Sequence, residues 1–387
     1  MKSIRIYCKN DGMYHDVPKG ATLEEVYETL ELNLPCCVTS CKVNNRVEGL
    51  HYTINDSRDL EYLTLASPSG LRTYTRSLFF VLYKAVRDLY PEAELRIGTP
   101  VSGGYFCRLS LPGGITPEVP ERLRRRMAEI VASDLPFRRV TAHTTDAIEV
   151  FRRQGFTRKV LLLESIGDLY THYYTLGETV DYFYSALLLR TGQLTVFDLV
   201  PFGEGLLLRV PDPEHPDRLR PMTEQHKMFS VFQEQHRRQE ILGCMTVGEL
   251  NTLIRAGRTN DLVNVAEALQ EKQIAQIADH IASHDALRVV LIAGPSSSGK
   301  TTFAKRLSVQ LMACGKKPVS ISLDNYFVDR ELTPLDETGD YDFEHIEALN
   351  LPLFNDQMNR LLVGEEVELP RYDFPTGMSV PSGRRLR

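Results

Sequence analysis

The spacing of apolar residues changes character several times along the chain, and each change marks a different kind of element. Up to residue 66 the apolar runs are short and bounded by turn residues. Ile4–Cys8 reads as a strand, Asp11-Gly12 as a turn, and Val38–Val43 and Leu60–Leu65 as further strands. Between them, Thr22 followed three residues later by Glu25 opens a helix that runs to Leu30. Pro68-Ser69-Gly70 reads as a boundary. From about 71 to 217 a helical period takes over. Leu78, Val81, Leu82, Ala85 and Leu89 share one face until Pro91 stops the run. Thr116 and Pro117 open a second helix that places Leu123, Met127, Ile130 and Val131 inward. A third helix near Asp146–Gln154 ends at Gly155. Runs at Val160–Glu164, Val180–Leu189 and Leu194–Val200 read as strands and complete an α+β domain.

Residues 218–285 are helical in pattern, with Leu262, Val265, Leu269, Ile277 and Ile281 on one face. They read as a connector with no chemistry of its own. After it comes a buried-strand pattern, Leu287–Ala293, then a Gly-rich turn, then a helix from Thr301 to Ala313 with Phe303, Leu307 and Leu311 on one side and Gly315 as its stop. A second β-branched run, Val319–Ser322, follows.

Composition narrows the class without naming it. A chain of 387 residues with 42% hydrophobic and 25% charged content is an ordinary soluble multidomain protein. A net charge of −6 gives no global pull toward nucleic acid, so any RNA contact has to be local. Arg122, Arg124, Arg125 and Arg126 on the second helix are a basic stripe that could touch RNA, and a solvated helix face is the better reading of such a stripe. No run reaches the length of a membrane span, and the N-terminus lacks the apolar core of a secretory signal, so the cytoplasm is the expected setting. Seven cysteines, an odd number, fit a reducing compartment. Cys36, Cys37 and Cys41 cluster without a histidine at ligand spacing and read as small core thiols.

The candidate chemistry lies at Gly294-Pro295-Ser296-Ser297-Ser298-Gly299-Lys300-Thr301, with Thr302 beside it. A Gly-rich turn between a strand and a helix aims backbone N–H groups at a bound phosphate, and the helix dipole favours the anion. Lys300 supplies a point charge for the β- and γ-phosphates, and Thr301 a hydroxyl for Mg²⁺. A nucleoside triphosphate with Mg²⁺ is therefore expected, ATP or GTP, with ATP as the donor of the kinase reading below. Asp324, at the end of the β-branched run, is placed to accept the proton of an attacking hydroxyl; a turn residue before Asn325 is the alternative.

The last segment resembles the uridine kinase and phosphoribulokinase branch of P-loop kinases. Ser322-Leu323-Asp324-Asn325-Tyr326-Phe327 looks like that family's Asp-x-Phe/Tyr element. Asp340-Tyr341-Asp342-Phe343 looks like its Asn-Phe-Asp stretch, and Leu369-Pro370-Arg371-Tyr372-Asp373-Phe374 like its Pro-x-Tyr-Asp-Phe element. The resemblance implies that Tyr326, Asp342 and Tyr372 help hold a nucleoside, with packing or solvent exposure as the alternative for each. Pro375-Thr376-Gly377 stands where the uridine kinases usually continue with a His. The residues after 286 are also fewer than that fold uses, and two strands do not make a doubly wound sheet. Pro381–Arg387 reads as an interrupted loop, so the chain is expected to be a fragment of a longer protein.

Residues 1 to about 215 resemble the N-terminal half of threonyl-tRNA synthetases. Pro18-Lys19-Gly20-Ala21-Thr22 and Lys42-Val43-Asn44-Asn45 look like parts of the β-grasp TGS domain. Ala85–Pro91, Leu95–Gly98 and Asp134-Leu135-Pro136 look like parts of the editing domain. The editing chemistry does not carry over: Arg76 and Phe80 occupy the places of the family's His-x-x-x-His pair, and Phe183 and Leu187 those of its Cys and His. The expected architecture is thus multidomain α+β and α/β. It comprises a TGS-like β-grasp domain (1–66), an editing-like α+β domain without catalytic residues (71–217), a helical connector (218–285) and an incomplete P-loop α/β kinase domain (286–387). The expected activity is ATP-dependent phosphorylation of a nucleoside hydroxyl, with no membrane partner. An RNA-binding regulatory NTPase, or an inactive ATP-binding fragment, is the alternative.

Overall fold

The computed structural model describes residues 2–387, and the chain divides between Asn260 and Asp261 into two compact units. The first unit opens with β1 (Ser3–Cys8), β2 (Met13–Pro18), α1 (Leu23–Leu30), β3 (Val38–Val43), β4 (Arg46–Glu48) and β5 (Asp59–Thr64). The strands form one sheet in the order β2-β1-β5-β3-β4, with β1 and β5 parallel. Alternation puts Ile6 and Cys8 on the inner face against Leu23 and Val26 of α1. The expected capping box is formed: Thr22 Oγ1 accepts from the Glu25 N–H at 3.2 Å, and the Glu25 carboxylate accepts from the Thr22 N–H at 2.8 Å.

The boundary expected at Pro68-Ser69-Gly70 is instead the first turn of α2 (Pro68–Leu89). Proline suits the start of a helix, whose N–H groups lack intrahelical partners, and Ser67 Oγ caps the Gly70 N–H at 3.1 Å. Gly70 is required there, because a Cβ would lie 1.9 Å from the Thr64 carbonyl oxygen. The helix therefore lies directly against the strand before it.

The unit continues through β6 (Glu94–Val101), β7 (Gly104–Ser110), α3 (Glu118–Ala132), β8 (Arg138–His143), α4 (Thr144–Arg153), α5 (Thr157–Ile166), β9 (Tyr170–Leu176), β10 (Thr179–Asp181), β11 (Asp198–Phe202) and β12 (Gly205–Arg209). Two antiparallel sheets result, β10-β9-β8 and β11-β12-β7-β6. Leu78, Phe80 and Leu82 of α2, Leu123 and Met127 of α3, and Leu206 and Leu208 of β12 are wholly buried in one core.

Three expected strands are corrected here. Val160–Glu164 lies in helix α5: Val160 and Leu163, three apart, are its buried face, and Gly167 ends it at φ 82°. Of Val180–Leu189 only the beginning pairs, in β10; Leu187 and Leu188 are buried outside any strand, and the Leu188 N–H donates to Ser77 Oγ of α2 at 2.9 Å. The strand expected from Leu194 begins at Asp198.

The connector does not stand apart either. It comprises α6 (His226–Leu242), α7 (Val247–Arg255) and α8 (Thr259–Ala282). Helix α7 is fastened to α5: Arg255 donates to the Glu164 and Ser165 carbonyls, and a Cβ on Gly248 would approach the Leu162 nitrogen to 2.7 Å.

The second unit holds most of α8, then α9 (Lys300–Ala313), α10 (Leu351–Leu362), β13 (Val367–Asp373) and β14 (Met378–Leu386). Ile274 and Ala278 of α8 bury against Leu307 and Leu311 of α9, so the apolar face of α8 is rotated from the one the pattern implied, and Val265 and Ile277 are exposed. Arg306 of α9 ties the pair further, bonding Glu267 and Glu271.

The largest departure concerns the sheet. Neither Leu287–Ala293 nor Val319–Ser322 forms a strand; a strand exists through its neighbours' N–H and C=O groups, and among the described residues none pairs with either run. Leu291 is 79% exposed, and of that run Ile292 reaches the α8/α9 cluster. The unit's sheet is the antiparallel hairpin of β13 and β14, which also corrects Pro381–Arg387 from loop to strand. Among the described residues no helix is long and apolar enough to cross a membrane.

Candidate active site

Helix α9 begins at Lys300 with Gly299 as a left-handed N-cap at φ 87° and no side-chain cap. Its first N–H groups therefore face outward without an internal acceptor. The loop before it is tight: Ser297 sits at φ 58°, and a Cβ on Gly294 would meet Ser298 Oγ at 2.7 Å. Lys300 folds back over this loop, its Nζ donating to the Gly294 carbonyl at 2.5 Å and the Pro295 carbonyl at 3.0 Å. Ser296, Ser298, Thr301 and Thr302 are exposed around it. The arrangement presents a flexible ammonium and a set of amide donors on one concave turn, which suits an anion with several oxygens.

The three motifs downstream are brought together, though by rings rather than by polar groups. Phe327 makes edge contacts with Phe343 (5.5 Å), Tyr372 (5.4 Å) and Phe374 (6.4 Å). Asp329 and Arg330 pin the hairpin to this cluster, the Asp329 carboxylate accepting from the Ser379 N–H and the Arg330 guanidinium donating to the Phe374 carbonyl. Within it the predicted residues differ in availability. Tyr326 is buried, packs on Phe354, and donates its hydroxyl to Gln357 Oε1 at 2.8 Å, so its polar group is already engaged. Tyr372 is equally buried, but its hydroxyl has no partner among the described residues. Asp342 is half-buried and caps its own turn, accepting from the Glu344 N–H at 3.0 Å. Asp324 is exposed on a single 3-10 turn, Leu323–Tyr326, where Ser322 Oγ donates to it at 3.3 Å. Among the described residues no hydrogen bond or ion pair links Asp324 to Lys300 or Thr301: Lys300 bonds the loop carbonyls, and Asp324 bonds Ser322. The aromatic motifs thus gather with one another, while Asp324 is not bonded to the loop.

Sequence reasoning missed Gln357. It lies on α10 as one polar residue in an amphipathic pattern, and nothing in its spacing distinguishes a buried tyrosine partner from a surface glutamine.

In the first unit, the four positions compared above with editing residues, Arg76, Phe80, Phe183 and Leu187, are filled by packing or by a backbone bond. Phe80 and Phe183 pack at 5.4 Å, Leu187 is wholly buried, and Arg76 donates to the Ala186 carbonyl. Most of the arginine stripe on α3 is also occupied: Arg124 pairs with Glu121, Arg126 with Asp88 and Glu129, and Arg122 lies over Tyr90.

Comparison with known sequences then decides the second unit. Residues 289–386 match the phosphoribulokinase / uridine kinase family. The N-terminal half is similar to a different group, the threonine–tRNA ligases. The chain is 29% identical over 201 residues to that of Symbiobacterium thermophilum, an alignment covering 52% of this chain and 31% of the ligase. It is 31% identical over 165 residues to that of Desulforamulus reducens (43% and 26%) and 30% over 179 residues to that of Clostridium novyi (46% and 28%). The chain thus spans under a third of the length of these relatives, and joins a ligase-like part to a kinase-family segment.

Proposed function

We propose that this protein is an ATP-dependent kinase that phosphorylates a hydroxyl of a nucleoside-like acceptor. The observation that carries the reading is the loop itself: a helix start without a side-chain cap, a turn with left-handed backbone at Ser297 and Gly299, and Lys300 folded over it onto the Gly294 and Pro295 carbonyls, from which a bound phosphate would draw it. These residues fit a triphosphate. The amides of Gly294–Thr302 hold its oxygens and Lys300 neutralises charge that grows as the γ-phosphoryl moves, which is where electrostatic catalysis acts. Thr301 would offer one hydroxyl to Mg²⁺, whose charge would offset that of the phosphates. Asp324 receives the acceptor's proton. Tyr372, with its unpartnered hydroxyl, and Asp342 orient the nucleoside, while Tyr326 supports the cluster through Gln357. The TGS-like β-grasp part and the editing-like part are accessory, with no hydrolytic chemistry of their own.

The test is Lys300→Ala in the full chain, titrated calorimetrically with MgATP and assayed with labelled ATP against a panel of nucleosides. We expect at least a tenfold weaker affinity, about 1.4 kcal/mol, and loss of transfer. Equal affinity in the two proteins would remove the loop from the reading.

A further inference from the structure

The first unit contains a cavity of about 360 Å³ that the loop chemistry does not explain; Phe183, one of the filled positions described above, is part of its lining. That size lies in the range of small-molecule sites. It opens between β4 on one side and β9 with the stretch after β10 on the other.

One end is cationic. Arg46 and Arg139 both line it and share a single carboxylate: Arg46 Nε is 3.1 Å and Arg139 Nη1 3.9 Å from Glu48. At this end two guanidinium groups face one carboxylate, while Asp168, the second carboxylate of the lining, balances the charge of the cavity as a whole. His172 lines the same wall with Nδ1 engaged by Thr141 Oγ1 at 2.8 Å, which leaves Nε2 for a ligand. Behind Gly49, Tyr174 and Ala186 lies His51, both of whose ring nitrogens are buried without a hydrogen-bond partner. Burial, then the Arg139 charge, lowers the pKa of both histidines.

The mouth is aromatic. Tyr170 is 51% exposed and tilts over His143, and Tyr184 is 75% exposed with its edge held by Tyr182 at 4.9 Å. Exposed tyrosines fixed by a neighbouring ring are ready-made stacking surfaces. Asp168, also in the lining, adds an acceptor for hydroxyl or N–H donors.

A ligand matching all three features carries an anionic group, a flat ring and several hydroxyl or N–H donors. We propose that this cavity binds a free nucleoside monophosphate, its phosphate on Arg46 and Arg139 and its base on Tyr170 and Tyr184. The product of the proposed kinase is of this class, and a feedback role rests on that reading; the binding itself does not.

The experiment titrates the full chain with uridine 5′-monophosphate and adenosine 5′-monophosphate, in parallel with Lys300→Ala, Arg139→Ser and Arg46→Ser. Arg46 is mostly exposed, so its loss leaves the fold intact. We expect binding that survives Lys300→Ala and weakens at least tenfold in each arginine variant, and no binding of unphosphorylated uridine. Loss with Lys300→Ala alone would assign the ligand to the phosphate loop and overturn the proposal while sparing the kinase reading. Equal binding of uridine, or retention only of an RNA oligonucleotide or a free amino acid, would overturn it too.

Discussion

Helices α2 and α9 each carry an apolar stripe, yet they meet different fates. In α2, Leu78, Phe80, Val81, Leu82, Ala85 and Val86 are wholly buried, because two antiparallel sheets and α3 close around them. In α9 burial is confined to Leu307 and Leu311, with Val309 and Met312 exposed, because α8 is its cover and the two β-branched runs beside it have no ladder. The contrast extends to chemistry. Where packing is complete, around Phe80, Phe183 and Leu187, rings and aliphatic groups fill the space. Where packing is thin, the polar loop stays open to a ligand. A buried core and an accessible phosphate site make opposite demands on the surroundings of a helix.

The comparison is tested most severely by Phe80→Ala. Truncating a buried aromatic leaves a cavity worth about 3–5 kcal/mol, so hydrogen exchange followed by mass spectrometry should show amides of α2, α3 and β12 losing protection while those of α9 do not change. If α9 loses protection in step, the two units unfold together and the contrast fails. Leu307→Ala is the reciprocal case. Its surroundings are few and able to relax, so the expected cost is at the low end for Leu→Ala, about 2 kcal/mol, and confined to α8 and α9. A loss as large as that of Phe80→Ala would mean the second unit is packed as tightly as the first.

What was legible in the sequence follows the same division. The capping box at Thr22 and Glu25, the buried face of α9 and the glycine stop at Gly315 depend on residues close in sequence, and each formed as expected. The strand at Leu287–Ala293 did not, because an apolar run says that a chain wants burial and not what will pair with it. Val160–Glu164 misled for a related reason: four residues of Val and Leu before Glu164 are too few to separate period 2 from period 3.6, and Gly167 at the helix end was the available clue. In the site, the loop is visible because its glycines and lysine are contiguous. The aromatic cluster of Phe327, Phe343, Tyr372 and Phe374 comes from three separated stretches, and only the fold reveals that they share rings while Tyr326 faces Gln357.

The mildest expected effect concerns how α7 is held in the first unit. Glu249 accepts from the Met245 and Thr246 N–H groups at 2.8 and 2.9 Å and from Arg158 at 3.2 Å. Burial alone would raise its pKa, but these donors outweigh it and the carboxyl is held below its usual value. A folded-state pKa below the unfolded one means the unfolded chain binds the proton more readily. The charge therefore stabilises the clamp fully above the unfolded value, about 4.3, and that contribution is lost as pH falls through the folded one. Glu249→Gln should cost about 1 kcal/mol at pH 7, the scale of a helix cap, and progressively less as the wild-type carboxylate is itself protonated. Urea unfolding of both proteins at pH 7 and at a pH below the folded pKa checks this. A gap that stays constant with pH would show that shape rather than charge fastens α7, and the first unit would then owe its order at this edge to Gly248 against the α5 backbone.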